Sequence, residues 1–250
     1  MRARYGVSVN EYDALEARWQ ALRKCGRGIA VRSVACVGAP RTLLLAEAGT
    51  DVQPVIALAA GLHGDEPAGV WALLALAEDG QLDERFAYRI WCCVNPSGFA
   101  LGTRENQEGA DINRSFDRGG QTPEARAIIT SNRDRKFALS MDFHEDSDAS
   151  GFYCYEYGGG TIGRGAVQAV SAAGWPLAQA VPGGSHRGWM VPDPLVEAES
   201  LGGLSYSLAI ARRAAKSALT FETPAGLARG ERIAMHRAAA MEAIRSLRLE

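Results

Sequence analysis

The sequence predicts an α/β fold: a mixed, mostly parallel central sheet with helices on both faces. From residue 55 onward the apolar or β-rich runs VIALAAG, FAYRIWCCV, FALSMDF and SALTFE recur, and helical segments fall between most of them. That alternation is what parallel strands with covered faces require. The second observation is composition: 250 residues, 47% hydrophobic and 22% charged, enough to bury a sizeable core without any tendency to disorder.

Taken in order, Asn10 and Asp13 open a helix in which Leu15, Trp19 and Leu22 recur at helical spacing. IAVRSVAC and TLLLAEAG, separated by VGAPR, read as a pair of strands. Pro67 stands just inside a helix start, Gly80 follows ALLALAED, and Thr122-Pro123-Glu124 forms a cap and first turn. A last helix over 231–248 places Ile233, Ala240, Ile244 and Leu247 on one face. The glycine-rich stretches at 158–165 and 181–188 read as loops. With no Pro-, Gly- or Ser-rich linker and no internal repeat, residues 1–250 are expected to form a single catalytic domain.

A net charge of -2 with scattered arginines leaves no footprint for nucleic acid. The start of the chain lacks an apolar segment of signal-peptide length and no run is long enough to span a bilayer, so a cytoplasmic protein without a membrane partner is expected. Cys25, Cys36, Cys92, Cys93 and Cys154 are odd in number and lack C-x-x-C spacing, which reads as reduced, mostly buried thiols.

Ligands of open α/β sheets gather outside the carboxyl ends of the strands. There the sequence sets His63 and Glu66 after VIALAAG, Asn95 after RIWCCV, His144 after FALSMDF, and Glu222 within SALTFETP. His63, Glu66 and His144 form a His₂Glu set of the kind that holds catalytic zinc and leaves a position for water. Hydrolysis then needs a carboxylate to take the proton of water, and Glu222 is placed for that. It also needs a cation for the charge that develops on the carbonyl oxygen. Arg104 and Arg114 supply two guanidiniums nearby, one for that charge and one for a substrate carboxylate.

Four motifs, His63-Gly-Asp-Glu66, Asp111-Ile-Asn113-Arg114, Asp142-Phe-His144 and Thr220-Phe-Glu222-Thr-Pro224, occur in order between about residues 55 and 226. Together they resemble the zinc metallocarboxypeptidase superfamily of carboxypeptidase A, in particular the branch of succinylglutamate desuccinylase, aspartoacylase and the murein peptide amidases. The resemblance implies a zinc carboxypeptidase-like (phosphorylase/hydrolase-like) fold. It further implies one Zn²⁺ per chain on His63, Glu66 and His144, with Glu222 as general base and proton shuttle and Arg104 stabilising the oxyanion. Asn113 and Arg114 would bind the free carboxylate of a small peptide or acyl-amino-acid substrate. Asp111 would hydrogen-bond a zinc-ligating histidine.

In the resembling carboxypeptidases a mobile tyrosine joins the site, and Tyr206 is the candidate here. The acidic run Glu145-Asp146-Ser147-Asp148 would repel anionic substrates or attract an amine, which favours peptide or amide hydrolysis over an N-acyl amino acid deacylase. His186 reads as a loop residue and His236 as structural. HEDSD at 144–148 lacks the second histidine of a zincin, and no Gly-x-Ser-x-Gly elbow occurs. From another class, Gly158-Gly-Gly160-Thr-Ile-Gly163 satisfies G-x-G-x-x-G and raises a nucleotide-binding protein as the alternative. The strand before it is aromatic and polar, and no acidic residue follows about twenty positions on.

Overall fold

A computed structural model describes residues 9–26, 28–49, 53–179, 187–192 and 202–248. Its strands are β1 (Ile29–Val34), β2 (Leu43–Ala48), β3 (Val55–Ala60), β4 (Ala87–Cys93), β5 (Phe137–Asp146), β6 (Tyr153–Tyr157), β7 (Trp189–Met190) and β8 (Ala215–Pro224). They join one sheet in the order β1-β2-β4-β3-β5-β8-β6-β7. The centre, β4-β3-β5-β8, is parallel; β1 and β2 extend one side antiparallel, and β6 runs antiparallel to β8 on the other.

The described helices are α1 (Val9–Lys24), α2 (Pro67–Glu78), α3 (Pro96–Leu101), α4 (Pro123–Ser131), α5 (Ile162–Ala172), α6 (Tyr206–Arg213) and α7 (Arg229–Ser246), with a 3₁₀ turn at Ile112–Arg114. Strand side chains alternate between faces, and here each face has its own core. Leu58, Ile90, Met141 and Phe221 join apolar residues of α1, α2, α3, α5 and α7. Ala57, Ala59, Trp91 and Ala218 join those of α4 and α6. No helix among the described residues is long and apolar enough to cross a membrane.

The anticipated strands and helices are present, with differences at their ends. Leu15, Trp19 and Leu22 of α1 are buried. Strands β5 and β8 run past Phe143 and Phe221, because their parallel ladder continues through His144↔Glu222 to Asp146↔Pro224. The stretch 158–165 is not all loop: α5 begins at Ile162. In α7 the buried stripe is Arg232, Met235, His236, Ala239, Ala240, Ala243 and Ile244, so Ile233 sits at its edge and Leu247 is the cap residue. Four cysteines are buried and free, while Cys25 is free and exposed. Residues 181–186, including His186, lie outside the described residues.

Candidate metal centre

The turn after β3 carries the first two polar residues. Gly61 adopts φ +69, open to glycine at little cost, and reverses the chain out of the strand. Gly64 packs so closely on Gly98 that a Cβ would collide with its backbone. Pro67 then starts α2, with its fixed φ and missing N–H suited to the first helical position. His63 and Glu66 are thereby both buried, at 4% and 7% exposure.

His144 comes from β5, the next strand, and approaches Glu66 from the other side. The Glu66 carboxylate is shared: Oε1 lies 2.7 Å from His63 Nδ1 and Oε2 lies 2.7 Å from His144 Nδ1. The ligand atoms of these three residues lie within 4.8 Å of one another, and the group could hold a metal ion. The opposite ring nitrogens face carboxylates. His63 Nε2 is 3.3 Å from Asp111 Oδ1, and His144 Nε2 is 2.9 Å from Asp142 Oδ2. A carboxylate on the far nitrogen fixes a ring's tautomer and leaves the near nitrogen free to ligate. The donor set of two imidazole Nδ1 atoms and one carboxylate therefore fits a divalent cation.

Charges follow this geometry. Burial works to raise Glu66, but His63 and His144 hold its carboxyl well below the usual range. Burial likewise opposes the His144 cation, yet Asp142 and Glu66 push its pKa well up. Asp111 is held low by His63, Arg104 and Arg114 against the effect of burial.

Glu222 stands directly opposite His144 across the β5–β8 ladder. Burial pushes its carboxyl up to about 8, with Glu66, Asp146 and Asp142 adding to the rise and His144 opposing it. A carboxylate with a pKa near neutrality suits proton transfer.

Arg104 is brought to the same place by Asn95, whose side chain caps Gly98 N and donates to the Arg104 carbonyl at 3.1 Å. Its guanidinium donates to Asp111 Oδ2 at 3.0 and 3.2 Å and reaches within 3.6 Å of Glu66. Asn113 and Arg114 form the 3₁₀ turn, capped by Asp111 Oδ1, which accepts from Asn113 N. Asn113 Nδ2 lies 3.3 Å from His144 Nε2, and its Oδ1 accepts from Tyr206 N at 2.9 Å. Arg114 Nη1 donates to the Asn113 carbonyl at 2.9 Å.

A family resemblance extends over most of the chain. A family model for the succinylglutamate desuccinylase/aspartoacylase catalytic domain matches residues 52–248. The chain belongs to this family. Among solved structures, this family member is similar to a candidate metallopeptidase of Shewanella amazonensis SB2B, with a TM-score of 0.79 and 21% identity over 97% of this chain and 95% of that one. It also matches carboxypeptidase A of Helicoverpa armigera, with a TM-score of 0.68 and 19% identity over 94% of this chain and 73% of that one. Identities this low speak to the fold, which is that of the carboxypeptidases. Carboxypeptidase SOL1 of Arabidopsis thaliana is 30% identical over an alignment of 114 residues that covers 38% of this chain and only 23% of that protein.

Two expectations change in this frame. The acidic run at 145–148 is not one continuous charged patch, because Glu145 leaves it. Glu145 follows His144 on a strand and so points to the opposite face, where it pairs with buried Arg232 of α7 and accepts from Ala68 N at 2.5 Å. Asp146 turns back, accepting from Tyr153 OH at 2.7 Å. Tyr206 is fully buried and packs edge-to-face on Phe116, so it is not a mobile tyrosine. The tyrosine beside Glu222 is Tyr153, which pairs with it in register. Its place on an antiparallel strand next to β8 has no signal in the sequence. The Gly158–Gly163 stretch does open a helix, but Ile162 N and Gly163 N donate to Glu156 at 3.0 and 3.1 Å. The amides that would receive a phosphate already hold the protein's own carboxylate.

Proposed function

We propose that residues 1–250 form one catalytic domain of a zinc-dependent hydrolase that cleaves a peptide or amide bond next to a free carboxylate. The observation that carries this reading is the convergence of His63, Glu66 and His144 with Glu222 opposite His144. Two histidines and a carboxylate are a common catalytic zinc set, and His63, Glu66 and His144 would hold the ion. When bound, zinc supplies Lewis acidity to the scissile carbonyl and to water.

The chain's own residues do the rest. Glu222 takes the proton of the attacking water and returns it to the leaving amine. Arg104, already beside Glu66, stabilises the negative charge on the carbonyl oxygen. Asn113 and Arg114 hold the substrate carboxylate, Asn113 being oriented by Tyr206 N. Asp111 and Asp142 keep both imidazoles with Nδ1 toward Glu66.

A small peptide with a free C-terminus is the substrate class of the first reading. The second, N-acyl amino acid deacylation, gains from a specific observation: Glu145 is spent on Arg232 and Ala68, so it does not repel an anionic acyl group. The test is a zinc-loaded activity screen across C-terminal peptides, cell-wall peptides and N-acyl amino acids, with Glu222→Gln as the blank. Turnover above the blank in any panel supports the reading and selects the substrate. Equal rates for wild type and Glu222→Gln throughout overturn it.

A further inference from the structure

Glu124 is a buried carboxyl that the proposed reaction does not use. It is 2% exposed, and among the described residues no cation pairs with it. A glutamate in the first turn of a helix ordinarily favours the helix dipole from the solvent side, and burying one is costly unless its oxygens are bonded. Glu124 stands in the first turn of α4, and its Oε2 accepts from Asn106 Nδ2 at 3.2 Å. Burial pushes the carboxyl up, and the Asn106 hydrogen bond works against that rise.

Asn106 is the knot of the loop that carries Arg104 and Asp111. Residues 102–111 run from α3 to the 3₁₀ turn without helix or strand. Within them Asn106 Oδ1 accepts from Glu108 N and Ala110 N, both at 3.0 Å. Its backbone N donates to the Ala110 carbonyl and its own carbonyl accepts from Gly109 N, again at 3.0 Å. The mouth of the loop is closed by the Arg104 guanidinium on Asp111. Two amide N–H groups can face only the side-chain oxygen of Asn106, so its NH₂ is left to tie the knot to the body of the fold. Glu124 receives it.

We propose that Glu124 is a positioning residue: through Asn106 it holds the 104–111 loop so that the Arg104 guanidinium stays on Asp111 and beside Glu66. The inference rests on the proposed role of Arg104 in stabilising charge on the carbonyl oxygen. Misplacing such a group by about 1 Å can cost about 10²-fold in rate.

The test compares Glu124→Ala, Glu124→Gln and Asn106→Asp in the zinc-loaded, full-length protein. Glu124→Gln keeps an acceptor for Asn106. Asn106→Asp keeps the acceptor of the two loop amides and sets a new carboxylate against Glu124, and it carries the test should Glu124→Ala not fold. NMR follows the Arg104 Nε–H, which donates to Asp111 at 3.2 Å, and the amides of Glu108 and Ala110, with those of β3 and β5 as control. Glu124→Ala and Asn106→Asp are expected to shift the Arg104 signal and to speed exchange of both loop amides about tenfold while β3 and β5 stay protected; Glu124→Gln is expected to resemble the wild type.

With the substrate that the activity screen selects, the two loop-breaking variants are expected to lower kcat about 10- to 100-fold with KM little changed. Added to Arg104→Ala, Glu124→Ala is expected to cost less than about twofold more, because a residue that acts through Arg104 has nothing left to position. A glutamate that only stabilises the fold would lower both backgrounds alike. An Arg104 Nε–H signal unmoved in both loop-breaking variants overturns the proposal, and so does a full kcat loss in the Arg104→Ala background. A wild type without turnover in any panel fails the hydrolase reading instead, and the NMR comparison then decides the tether alone.

Discussion

His144 and Glu222 face each other across the parallel β5–β8 ladder, so one strand pair sets a histidine of the candidate metal cluster beside a carboxyl whose pKa is pushed up to about 8. Neither strand can slip without moving both, because a slip of one residue turns every side chain to the other face. Glu222→Gln keeps the shape and removes the proposed base. Turnover is expected to fall about 10²- to 10⁴-fold with metal content unchanged, checked by steady-state kinetics beside elemental analysis.

The same substitution has a consequence for stability. An acid whose pKa rises from an ordinary 4.5 to about 8 on folding holds its proton in the native state while the unfolded chain has lost it. Stability of the metal-free protein therefore falls as pH rises through that window. Glu222→Gln is expected to flatten this fall and to raise the melting temperature of the metal-free protein at pH 7, read by calorimetry.

The two arginines separate by kinetic parameter. Arg104 contacts Asp111 and approaches Glu66, and Arg104→Ala is expected to lower kcat about 10²- to 10³-fold, as loss of an oxyanion donor does. Arg114→Ala is expected chiefly to raise KM, and to bind a substrate whose carboxylate has been amidated no worse than the wild type does.

How far the site was legible follows from these particulars. His63, Glu66, His144 and Glu222 could be gathered from the sequence because they sit at the carboxyl ends of parallel strands, where topology alone makes distant residues neighbours. Asp111 followed from the motif order, while Arg104 was picked out as a guanidinium in the polar stretch GTRENQEG, outside the four motifs. Glu145 did not follow: an acidic run looks like one charged patch, but on a strand each step reverses the face, and only β5's continuation to Asp146 sends Glu145 to Arg232. Tyr206 and Tyr153 were equally opaque. Which tyrosine stands by Glu222 depends on the antiparallel insertion of β6 beside β8, a long-range pairing without a local pattern.

The Glu145–Arg232 pair is buried and joins β5 to α7 and, through Ala68 N, to α2. Removing one partner leaves an uncompensated buried charge. Arg232→Leu is expected to cost about 3–5 kcal/mol, while Arg232→Leu combined with Glu145→Gln costs less than the single change. Urea unfolding of the set measures it.

His236 is wholly buried against Phe143 and Thr223, and burial, with His144 and Arg232 adding, presses its pKa to about 3. Here the unfolded chain takes up the proton first. The histidine's contribution is full above about pH 6.5 and is lost as pH falls toward 3, with a limiting slope of about 1.4 kcal/mol per pH unit. Unfolding free energies at pH 7 and 5 are expected to differ less in His236→Leu than in the wild type.

The central claim is that His63, Glu66 and His144 hold one zinc ion. Elemental analysis of the purified protein after zinc loading and gel filtration tests it most directly, with His144→Ala alongside. One zinc per wild-type chain and a marked loss in the variant are predicted. A wild-type chain that retains no metal, or a variant that retains as much as the wild type, contradicts the account.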